Sequence, residues 1–137
     1  MTPAQRATLA AAMDRVLPGG KGAGATAANA VSYTDWLFAN GAFAGAEAKV
    51  AAGVSLLDSL ASAMWASDFA ACGPAEQDAV LARLTEVPHR TAQRFFDDLV
   101  LLSLTGFLCA PRYGGNAGGL GWKSIGFVPH PNTEGAP

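Results

Sequence analysis

Residues 89–110, HRTAQRFFDDLVLLSLTGFLCA, restrict the fold of this chain more than any other stretch. Phe95, Leu99, Leu102 and Phe107 recur at helical spacing, and Phe96, Val100, Leu101, Leu104 and Leu108 fill the positions between them. Beyond Asp98 such a helix is apolar almost all round, so it is expected to be buried on most sides. Other elements must then surround it. No run alternates with period two for long enough to make a sheet, so those elements are helices as well. The expected fold is all-α: a compact bundle of about five helices followed by an irregular, glycine-rich C-terminal segment.

The surrounding helices are legible in outline. Thr2 suits an N-cap with Pro3 at the first position and Gln5 completing a capping box, ahead of Leu9, Met13, Val16 and Leu17. Pro18-Gly19-Gly20 stops that helix, and a loop follows by composition. A second helix starting within residues 25–30 would carry Val31, Tyr33, Trp36, Leu37 and Phe38, closed by Asn40-Gly41. Residues 44–66 read as a long helix with Val50, Val54, Leu57, Ala61 and Met64 on one stripe, widened by Leu56, Leu60 and Trp65. After a turn, Gly73-Pro74 with Glu76 close behind restarts a fourth, and His89 helps to start the fifth. Residues 1–128 make one domain, and 129–137 has no apolar pattern and suits a flexible or partner-bound tail.

Half of the 137 residues are hydrophobic and 15% are charged, well under the roughly 25% common in soluble domains. That balance suggests a surface partly covered by another molecule. A net charge of -2 without clustered Lys and Arg argues against nucleic acid as the partner. The longest largely apolar run, 99–110, is too short to span a bilayer, which excludes direct membrane insertion by that route. No leader or twin-arginine signal is visible, which favours a cytoplasmic home. A periplasmic home follows only if a leader has been removed or the chain is exported with a partner. Cys72 and Cys109, the two cysteines, make neither a metal quartet nor a disulfide framework.

Catalytic and cofactor patterns are thin. His89 and His130 form no HxxxH pair, which leaves no metal site to name. Asp97 and Asp98 are adjacent on a helix and point about 100° apart, so they do not share a proton as a catalytic dyad would. The run GGNAGGLG lacks the GxGxxG spacing and follows a helix, whereas a dinucleotide fingerprint follows a strand. No cofactor is expected on this chain. A standalone enzyme would have to use His89, Asp98 and Tyr113. The glycines of 111–128 permit positive φ and close backbone approach, Asn116 can tie such a loop, and Trp122, Ile125 and Phe127 supply apolar anchors. Two compatible readings follow: a loop folded back on its own domain, and a recognition surface for another chain.

The stretch FFDDLVLLSLTGFLCAPRYGGNAGGLGWKSIGF resembles the C-terminal signature of the gluconate 2-dehydrogenase subunit 3 family. Phe95 and Phe96 match its paired aromatics, Gly106 and Phe107 the approach to Pro111, and Tyr113, Gly114, Gly115 and Asn116 its central motif. Gly121-Trp122 and Ile125-Gly126-Phe127 match the rest. Upstream, Asp14 to Pro18 resemble the family's early Asp-Arg-aliphatic-aliphatic-Pro element, and Phe69 and Gln77 fall where the middle stretch has them.

That resemblance implies a non-catalytic small subunit. Its partner would be a large FAD-binding catalytic subunit of the glucose-methanol-choline (GMC) type that oxidises a sugar or sugar acid, with a cytochrome c subunit or another electron acceptor in many members. A transient assembly or export chaperone is the alternative role. The residues implied at the partner interface are Phe107, Cys109, Pro111, Tyr113, Gly114, Gly115, Asn116, Gly121, Trp122, Ile125 and Phe127. On this reading Gly115→Val impairs association while the helices still form.

Overall fold

The computed structural model describes residues 1–19, 24–42 and 45–130. Among them are six α-helices and no strand: α1 Pro3–Val16, α2 Ala30–Ala39, α3 Ala46–Trp65, α4 Pro74–Glu86, α5 Arg90–Leu108 and α6 Leu120–Ser124. Short 3-10 turns lie at Phe69–Ala71, Pro111–Tyr113 and Ala117–Gly119. The fold is an all-α bundle, and α5 is its central helix, touching each of the other five. The segment expected to be irregular carries α6, and residues 131–137 of the expected tail lie outside the described residues.

Local signals set most helix ends. Thr2 Oγ1 accepts from the Gln5 amide at 3.1 Å, and Gln5 Oε1 accepts from the Thr2 amide at 2.9 Å. Glu76 Oε2 accepts from the Gly73 amide at 3.0 Å ahead of α4. His89 caps α5, its Nδ1 accepting from the Thr91 amide at 3.2 Å. The second helix starts at Ala30, the last residue of the range expected for its start. Residues 25–29 form turns because tertiary partners take their amides: Leu17 O accepts from Ala25 N at 3.0 Å, and Asp14 accepts from Thr26 N at 2.8 Å. Asn29, at φ 54°, then turns the chain into α2.

The core is built from Leu9 and Met13 of α1, Val54 and Leu57 of α3, Phe69, Val80 and Leu84 of α4, and Phe95 and Leu99 of α5. Gly53 lets α3 approach α5, since a Cβ there would fall within 3.0 Å of the Phe95 ring. Asp58 joins three elements: its carboxylate accepts from the Thr8 hydroxyl at 3.2 Å and from the Phe69 amide at 3.1 Å. Gln77, buried, donates to Phe69 O at 3.0 Å. Arg15 of α1 holds Asp78 of α4 through two bonds of 2.7 and 2.9 Å.

Two expectations need correction. Met64 and Trp65 leave the α3 stripe and are exposed, because the helix ends there at Ala66 with φ 51°. More consequentially, α5 is not buried on most sides. Its covered side is Ala92, Phe95, Leu99, Ser103, Gly106 and Phe107, whereas Leu101 is 59% and Leu104 42% exposed. The packed helices meet only the first of these faces.

The Arg15–Asp78 pair gives a pH dependence of known sign. The Arg15 guanidinium holds the Asp78 carboxyl below its ordinary value of 3.8. The pair therefore stabilises the fold fully above about that pH, and its contribution is lost as pH falls through the lowered value. Both side chains are partly solvated, so the effect is small, within about 1 kcal/mol. Asp78→Asn should lower the thermal midpoint at pH 7 and flatten its decline below about pH 4, as followed by circular dichroism across pH. An unchanged midpoint at pH 7 would show that solvent screens the pair completely.

Candidate partner-binding segment

A helix ends with carbonyl groups that have no partner inside it, and a buried helix end must find partners elsewhere. The segment after α5 supplies them. Thr105 O accepts from the Cys109 amide at 2.8 Å, and Gly106 O from the Asn116 amide at 2.9 Å. Leu108 O accepts from the indole N–H of Trp122 at 2.8 Å. Cys109 O, just past the helix, accepts from Asn116 Nδ2 at 2.8 Å. Phe107 O faces Gly121 so closely that a Cβ at 121 would fall within 3.0 Å of it.

Asn116 is the hub. It is fully buried at φ 46°, a left-handed conformation that asparagine tolerates better than most residues. Its Oδ1 accepts from the Gly121 amide at 2.7 Å while its backbone carbonyl takes the Gly119 amide at 2.9 Å. One side chain thus joins the end of α5 to the start of α6.

Two glycines are required sterically. A Cβ at Gly115 would lie within 3.0 Å of Gly106 O, and Gly114 turns the chain at φ 94° beside Ser32 O. The loop also grips the entry to α2, where Ala28 O accepts from the Ala117 amide at 2.9 Å and Gly114 O from Asn29 Nδ2 at 3.3 Å.

The two aromatic brackets differ. Trp122 is 7% exposed and holds the loop against the end of α5, with the Phe127 ring edge-on at 5.3 Å. Tyr113 goes elsewhere: its ring lies 4.6 Å from that of Trp36 on α2, and the Arg112 guanidinium sits 4.5 Å over its face. Trp36 in turn stacks on Tyr33 at 6.2 Å.

Of the residues assigned to an interface from the sequence, Phe107, Gly115, Asn116, Gly121 and Trp122 are buried within the chain itself. Cys109, Pro111 and Tyr113 are half-buried, and Gly114, Ile125 and Phe127 are exposed. Sequence reasoning missed Leu101, Leu104 and Val128 as surface residues. For the leucines a signal was available, since Leu101, Leu104 and Leu108 continue the face begun by Arg94 and Asp97.

His89, Asp98 and Tyr113 are not brought together. His89 starts α5, Asp98 lies roughly 13 Å further along its axis, and Tyr113 follows its far end. Burial raises the Cys109 thiol above its ordinary value, which disfavours the thiolate needed for nucleophilic attack. It also raises the Tyr33 hydroxyl. No group of three metal-ligating side chains occurs among the described residues. No helix among them is long and apolar enough to cross a membrane.

The signature residues therefore form one connected clasp, and a family model for gluconate 2-dehydrogenase subunit 3 matches residues 3–129. The chain belongs to the gluconate 2-dehydrogenase subunit 3 family. That family is associated with dehydrogenase complexes of the GMC type. No curated protein and no solved structure matches the chain significantly. The family's early Asp-Arg element is structural here too: Asp14 holds the turn before α2, and Arg15 ties α1 to α4.

A valine at position 115 consequently acts first on the fold of this chain, before any effect on a partner. Asn116→Ala leaves the Gly121 amide and Cys109 O unpaired, at about 1–3 kcal/mol each. Trp122→Phe removes one hydrogen bond and should cost about 1 kcal/mol, whereas Trp122→Ala should cost about 3–5 kcal/mol. Urea unfolding of the isolated chain measures all three. Equal, near-zero losses would mean that the clasp contributes nothing to stability.

Proposed function

We propose that this chain is a non-catalytic small subunit that binds and stabilises a large FAD-dependent, GMC-type sugar or sugar-acid oxidoreductase. The observation that carries this reading is the family match, which runs from the first helix through the clasp to residue 129. The flavin lies in the large subunit, and the small subunit supports that subunit's folding and activity. Electrons leave the complex to a cytochrome c subunit or another acceptor. The separation of His89, Asp98 and Tyr113, at the start of α5, along it and beyond its end, fits a supporting role.

Co-expression with a GMC-type flavoprotein from the same genome tests this. The flavoprotein should be soluble, FAD-loaded and active with the chain, and the two should keep a constant ratio through size exclusion. A flavoprotein equally soluble and active alone would overturn the proposal. Release of the chain after folding would point to a transient chaperone instead.

We propose a cytoplasmic home, where Cys72 and Cys109, both free thiols, stay reduced. Intact mass after alkylation under denaturing conditions should show two labels without reductant. A label count that rises on reduction would place the chain in an oxidising compartment.

A further inference from the structure

Seven large apolar side chains are exposed among the described residues, and five of them lie on the last turns of α5 or just past α6: Leu101, Leu104, Ile125, Phe127 and Val128. Leu101, Leu104 and Leu108 are three and four residues apart and share one face of α5. Past α6, the exposed Phe127 ring packs edge-on against Trp122, whose indole bonds Leu108 O. At the other end, Leu101 forms one side of a groove between α2, α3 and α5 that is lined by Leu37, Phe38, Val50 and Leu102. Lys49 and Asp98 line the same groove, and neither side chain has a hydrogen bond or ion pair among the described residues.

We propose that the large subunit docks on this leucine face and sets an apolar side chain into the groove, with a carboxylate facing Lys49 and a cation facing Asp98. This inference rests on the small-subunit reading above. Singly scattered surface hydrophobics need no explanation, but a run of them along one helix face marks an interaction site. Interface cores are poor in charge, and complementary charges at the edge fix register. The leucine face has that composition, with Lys49 and Asp98 as its charged edge. The occupant follows from the family, whose chains are subunits of a larger assembly. The clasp is the weaker candidate, because Asn116, Gly121 and Trp122 are already buried and bonded internally.

The experiment isolates the tagged chain after co-expression with a GMC-type flavoprotein from the same genome and reads flavin absorbance per small subunit. Leu101→Asp with Leu104→Asp should lower co-purified flavin about tenfold or more, because two buried apolar anchors are lost. Helix content and thermal midpoint should stay near those of the parent, since both leucines are exposed. Lys49→Glu should cost about threefold, and that loss should shrink at high salt. Met64→Asp, at the far end of α3, should leave the yield unchanged. Full flavin recovery by the double variant overturns the proposal. If the parent chain recovers no flavoprotein, the small-subunit reading falls and this inference falls with it. If the parent is a dimer that Leu101→Asp converts to monomer while flavin recovery is unaffected, the face binds a second copy and the proposal is again overturned.

Discussion

The C-terminal end of α5 must be capped from inside the molecule, and much of the structure depends on how that is done. A central helix touching five others cannot leave its last carbonyls to bulk water, because the space around its end is occupied by protein. A simple glycine C-cap satisfies one or two such groups. Here the amides of Cys109 and Asn116, the Asn116 side chain and the Trp122 indole share the task, and Gly121 fits against Phe107 O. Each donor must arrive from a different direction, which forces the chain through several left-handed turns in a few residues. That is why the segment is rich in glycine and why an asparagine stands at its centre.

The same clasp fixes α2. Gly106 lets α5 and α2 approach until a Cβ at 106 would lie 2.5 Å from Ala30 O. So close a crossing leaves little room for adjustment, and the loop secures it by taking Ala28 O and by placing Tyr113 against Trp36. Asp14 works on the other side of that entry by bonding Thr26. The first and last parts of the family pattern thus converge on one structural problem, the position of α2 against α5.

The fold class was readable because helical periodicity and capping chemistry agree in α1, α4 and α5, where Thr2, Glu76 and His89 each do what their position suggests. The start of α2 was readable only as a range, residues 25–30. Alanine-rich residues 25–29 favour a helix locally, and only tertiary bonds to Leu17 O and Asp14 divert them. Met64 and Trp65 misled for a related reason, since periodicity does not show where a helix outruns its neighbours. In the signature, the need for positive φ and for side-chain ties was legible in the glycines and Asn116. Their partners were not, because the carbonyls concerned become orphans only once α5 is placed.

The exposure of Leu101 and Leu104 separates two properties that hydrophobicity alone merges. An apolar helix can be apolar because it is central to its own chain or because one side awaits another molecule. On the docking proposed above, both hold in α5, on different faces. Ala92, Phe95, Leu99, Ser103 and Gly106 are small or interlocked where helices cross, whereas the 101, 104 and 108 positions are uniformly leucine, and Leu101 and Leu104 are exposed. Tight crossings select for size and shape, and a surface awaiting a partner selects for apolar area. On that proposal the glycine-rich motif belongs to the first category, and the leucines beside it to the second. A motif that distinguishes a family of subunits can therefore build the fold that presents a contact surface without forming that surface itself.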